Sequence, residues 1–175
     1  MRSRIIGTLF ASAALLGFAV ASSGKTELGP LPDNASSEYL QTLGCGVGMH
    51  MDGNQPSFNL TITVKARKTV PDGALLEAKF DNLADPQNPF TATAVIDDSK
   101  PKGREIMLMS AKTPDIRCGN YTVVVSVYRD AQGRELLGTH TQQIQCPMDS
   151  REWRSIEDWM NRLGGKEHQV CSVGP

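Results

Sequence analysis

In the stretch SFNLTITVKA, Phe58, Leu60, Ile62 and Val64 alternate with Asn59, Thr61, Thr63 and Lys65. Successive side chains of an extended strand point to opposite faces, so this period of two predicts a strand with one apolar and one polar side. The pattern constrains the whole chain because it recurs. EYLQTLGCGVG is a weak first strand, and the Pro71-Asp72-Gly73 turn leads to ALLEAKF. The DNLADPQNP loop precedes FTATAVI, DDSKPKG precedes EIMLMSA, and YTVVVSVY and ELLGTHTQQIQ close the series. About seven short strands, with turns every ~8–12 residues, predict an all-β antiparallel sandwich or barrel. No helical period separates the strands, which argues against a parallel α/β sheet.

This succession of strands resembles that of immunoglobulin and fibronectin type III domains, which implies an Ig-like β-sandwich. The resemblance is one of pattern. The Cys…Trp…Cys arrangement of true immunoglobulin domains is absent, because the second strand carries no cysteine and both tryptophans come later.

The two ends of the chain read differently. MRSR followed by the uncharged run IIGTLFASAALLGFAVA, with Ala19-Val20-Ala21 as a small-x-small site, predicts a signal peptide over 1–21. The expected location is therefore secreted or periplasmic, with no membrane span after cleavage. Residues 22–37 are rich in Gly, Pro and Ser and predict a flexible leader, followed by the sandwich over 38–148. In 149–164, Trp153, Ile156, Met160 and Leu163 fall at helical spacing, joined by Trp159, with Asp149 or Ser150 as cap and Gly164-Gly165 as terminator. That predicts one short C-terminal α-helix whose apolar stripe needs a dock, on its own sandwich or on a partner. Residues 165–175 form a tail tied by Cys171.

All four cysteines, Cys45, Cys118, Cys146 and Cys171, lie beyond the signal peptide, and an even number in an exported chain predicts two disulfides. Asp130-Ala131-Gln132-Gly133 carries the residues of a type I turn followed by a left-handed glycine. A three-residue loop there sets Cys118 opposite Cys146 and Val123, Val125 and Val127 opposite Thr141, Thr139 and Leu137. A four-residue loop sets the valines opposite His140, Gly138 and Leu136 and brings Ile144 to the apolar face. The favoured pairings are Cys118–Cys146 with Cys45–Cys171, or Cys45–Cys118 with Cys146–Cys171.

The net charge is −1 and the basic residues are scattered, so nothing predicts a nucleic-acid partner. Met49, His50 and Met51 carry soft donors suited to copper, yet neighbours on a strand point in opposite directions and converge only in a bent loop. Met107 and Met109 alternate, as one face of a strand would. The three histidines, His50, His140 and His168, are far apart in sequence and assemble no evident catalytic triad. Sequons occur at Asn34, Asn59 and Asn120.

The expectation is an exported binding module without catalytic activity or cofactor. Its partner would be an envelope or extracellular protein, and the chain an assembly component, an inhibitor or an immunity-type protein. The possible partner surface comprises Thr139, His140 and Gln142 on the polar last strand, with Trp153 and Trp159 of the helix. The alternatives are a periplasmic copper or soft-metal carrier using Met49-His50-Met51, and a small secreted hydrolase. Oligomeric state is left open.

Overall fold

Nine strands follow one another in a computed structural model that describes residues 25–26, 32–52, 55–152 and 171–172. They are β1 (Lys25–Thr26), β2 (Leu40–Asp52), β3 (Gln55–Ala66), β4 (Leu75–Phe80), β5 (Phe90–Val95), β6 (Glu105–Met109), β7 (Gly119–Tyr128), β8 (Leu136–Cys146) and β9 (Cys171–Ser172). Strands β2 to β8 correspond one for one to the seven runs read from the sequence. They form two antiparallel sheets, β2-β3-β6 and β5-β4-β7-β8, while β1 pairs with β9. The expected signal peptide and most of the expected helix lie outside the described residues, and so do Trp153 and Trp159. Among the described residues the only helical turn is the 3-10 turn Ser150–Glu152, where Asp149 Oδ1 accepts the Arg151 N–H at 3.0 Å.

The apolar side of β3 faces inward as its sequence requires, while Asn59 on the other side is buried as well. Phe58, Leu60, Ile62 and Val64 are buried, together with Leu76, Ala78 and Phe80 of β4 and Val123, Val125 and Val127 of β7. Burying each of the larger side chains stabilises the fold by roughly 1.5–3 kcal/mol. Ile106 and Leu108 of β6 turn inward, which sends Met107 and Met109 outward as the alternate face of one strand. The corner before β7 is pinned by Tyr121, whose hydroxyl accepts the Arg117 N–H and donates to the Arg117 carbonyl, both at 2.9 Å.

The last hairpin begins as the three-residue loop predicts. Gly133 has φ +66°, its N–H reaches the Asp130 carbonyl at 3.0 Å, and Tyr128 sits opposite Leu136. Leu137 is then an extra residue, a β-bulge, so Val127 faces Gly138, Val125 faces His140 and Val123 faces Gln142. Neither expected register survives the bulge. Ile144 does join the apolar face, but with His140 and Gln142 beside it.

The bulge also overturns the disulfide expectation. Cys146 faces Gly119 rather than Cys118, one residue out of line. Cys45 and Cys146 are both free thiols. Both favoured pairings required Cys45 and Cys146 to be bonded, so neither holds.

Candidate functional site

Two buried polar side chains on the inner face of β8 decide how the sandwich closes on its β2/β8 side. His140 and Gln142 are each 2% exposed, whereas the alternating Thr139 and Thr141 face solvent. An unpaired buried amide or imidazole would cost roughly 1–3 kcal/mol, so each needs partners. Residues 33–37 supply them. Gln142 Nε2 donates to the Asp33 carbonyl at 3.1 Å and Gln142 Oε1 accepts the Ala35 N–H at 2.7 Å. His140 Nδ1 lies 3.2 Å from Ser37 Oγ, and its Nε2 lies 2.8 Å from Thr42 Oγ1 on β2.

The segment is fastened from other sides as well. Thr42 N–H donates to the Ala35 carbonyl at 2.9 Å, and Arg67 Nε donates to the Ser37 carbonyl at 2.8 Å. Composition assigned 22–37 to a flexible leader. Residues 33–37 instead belong to the folded domain and bond the inward side chains of β8. Of the polar surface read on that strand, Thr139 remains outside while His140 and Gln142 are turned inward.

The imidazole of His140 is committed at both nitrogens. Ser37 Oγ donates to the Leu40 carbonyl at 3.3 Å, which suits an Nδ1–H tautomer that donates to Ser37 and accepts from Thr42 through Nε2. Burial holds the imidazole below its ordinary pKa, in the neutral form. Although a serine hydroxyl touches this histidine, the opposite nitrogen meets a hydroxyl, which lacks the charge to stabilise an imidazolium as a carboxylate would. The geometry is that of a structural histidine.

Met49, His50 and Met51 lie consecutively on regular β2, opposite Phe58, Ser57 and Pro56. The strand therefore sends the two methionines to the face opposite His50, and Met49 packs against the core. No bend brings the three donors together. His50 Nε2 instead lies 3.2 Å from Asn59 Oδ1. Asn59 is 1% exposed, which hides that sequon, while Asn34 and Asn120 are exposed.

A second polar cluster fixes the chain after β8. Arg117 and Asp115 are 2.7 Å apart, and Arg151 reaches both Asp149 oxygens at 2.7 and 2.9 Å. Burial alone would raise the Asp149 carboxyl. Hydrogen bonds and charge from Arg151, with Arg117 at 3.7 Å, overcome it and hold the group below the usual carboxylate range.

The outer face of the four-stranded sheet carries the surface sequence reasoning missed. Register aligns Val95, Leu75, Tyr128 and Leu136 in one row across all four strands. Val95 is 47% and Leu136 54% exposed, at the two ends of the row. With strands ~4.8 Å apart the row spans about 14 Å. Tyr128, at its centre, donates from its hydroxyl to Glu77 at 3.2 Å. The adjacent row of Thr93, Glu77, Ser126 and Thr139 gives it a polar border. Each strand contributes a single apolar residue to the row, so no local pattern in the sequence reveals it.

Among the described residues no helix is long and apolar enough to cross a membrane. Neither a protein family nor a curated protein matches this chain.

Proposed function

We propose that this chain is an exported, non-catalytic binding module of Ig-like, fibronectin-III-like architecture, and that its partner is a protein of the envelope or the extracellular space. The observation that carries the reading is the apolar row Val95–Leu75–Tyr128–Leu136. An aromatic centre, exposed aliphatic ends and a polar border are the composition of an energetically dense contact surface. Thr139 lies on its border and belongs to the same surface.

The finer architecture is supported by the division into three and four strands and by the Tyr121–Arg117 corner. A tyrosine near the start of the sixth strand of the sandwich, bonded to backbone a few residues upstream, is a hallmark of Ig-like sandwiches. Export rests on the n-region, apolar run and cleavage pattern of residues 1–21. Affinity capture from periplasm or culture supernatant tests the proposal, with the Leu136→Arg chain as the control bait.

A further inference from the structure

Residues 33–37 are held chiefly through their backbone. The carboxamide of Gln142 donates to the Asp33 carbonyl and accepts the Ala35 N–H, so it bonds the two residues that flank Asn34. A peptide group of a parallel strand makes the same pair of bonds to its neighbour. Thr42 N–H takes the Ala35 carbonyl and Arg67 Nε the Ser37 carbonyl. The side chains of Asp33, Asn34 and Ser36 face solvent, while Ala35 and Ser37 are partly buried. Such a groove selects an extended backbone with a small residue at one position and a hydroxyl two residues on. The exposed side chains add two outer contacts, Asn34 Nδ2 donating to the Leu43 carbonyl at 3.4 Å and Ser36 Oγ accepting from Arg67.

We propose that the mouth between β2 and β8 is a receptor groove for an extended peptide, filled in cis by residues 33–37. A partner protein enters it with an extended segment that has a small residue in the place of Ala35 and a serine or threonine in the place of Ser37. Main-chain bonds supply the affinity and the two inward positions supply the selectivity, as in other strand-type peptide recognition. The cis segment competes at the high effective concentration of a tethered ligand, so it keeps the groove closed until displaced. The inference rests on the reading of the chain as a binding module.

The test uses the full chain and a synthetic peptide of residues 32–38, PDNASSE, as the probe. Ala35→Pro removes the N–H that Gln142 accepts. In that variant the Thr42 amide should exchange with solvent at least tenfold faster than in the wild type, with Val123 and Val125 unchanged. The peptide should then bind saturably and slow Thr42 exchange again. It should bind at least tenfold more weakly to the wild type and to the Ala35→Pro/Gln142→Leu chain. Unaltered Thr42 exchange, no binding to the Ala35→Pro chain, or equal binding after Gln142→Leu would each overturn the groove. Should Ala35→Pro not fold, Ser37→Ala takes its place, since it loosens the same segment through His140 and Leu40. Failure here with successful capture on the outer face would remove the groove and leave the binding module. Failed capture with peptide binding intact would keep the groove and remove the outer-face contact.

Discussion

The hydroxyl of Tyr121 and the backbone of Arg117 exchange two hydrogen bonds of 2.9 Å, closing the corner from which β7 departs. Tyr121→Phe keeps the ring in the core and removes both bonds, leaving a partly buried N–H and carbonyl unpaired. The expected loss is about 1–3 kcal/mol. Urea unfolding should show a lower midpoint at unchanged slope, and an unchanged midpoint would mean that the corner contributes nothing.

His140 gives stability a pH dependence of defined sign. Burial holds its imidazole below the ordinary value, so the unfolded chain binds the proton more readily than the native state. Its contribution is complete above about pH 6.5 and declines as pH falls below that value, until the native imidazole also protonates. Urea midpoints measured between about pH 8 and pH 5 should fall for the wild type and fall less for His140→Gln. Parallel profiles for the two chains would show that His140 is not the titrating group.

The two free thiols differ in shelter. Burial raises both, and for Cys146 it pushes the thiol up to about 11, while Cys45 is only partly buried. Because the thiolate is the reactive form, iodoacetamide at neutral pH should mark Cys45 well before Cys146. Both should label fully in guanidinium. Peptide mapping by mass spectrometry reads the order, and a Cys146 that stays unlabelled in denaturant without reductant would reveal a bond the structure lacks.

At Gly138, directly after the bulge, a methyl group would run into the ring of Tyr39, whose Cδ2 would be 2.9 Å away. Gly138→Ala should therefore destabilise by about 1–3 kcal/mol, the usual cost of overpacking. Adding Tyr39→Leu should recover part of that loss in thermal unfolding. Equal losses with and without it would place the strain elsewhere.

What the sequence disclosed was local. Phe58 to Val64 gave a period of two, and Asp130 with Gly133 gave the last turn, because strand faces and turn dihedrals are set by neighbours in the chain. The opposite orientations that kept Met49, His50 and Met51 apart were legible for the same reason. The sequence allowed a bulge but did not reveal its position at Leu137, since nothing in ELLGTHT marks which residue is extra, and that one residue put His140 and Gln142 inside and set Cys118 one place out of line with Cys146. Residues 33–37 were equally hidden. Their polar composition suits a leader, and their ordering comes from Gln142, 107 residues away from Ala35.

Binding of a protein by the outer face of the four-stranded sheet is decided by quantitative capture from periplasm or culture supernatant on wild-type and Leu136→Arg baits of equal thermal stability. A protein should be retained by the wild type and at least tenfold depleted on Leu136→Arg, since a charge placed in an apolar contact is poorly tolerated. A wild-type chain that elutes alone, or a partner held equally by both baits, would contradict it.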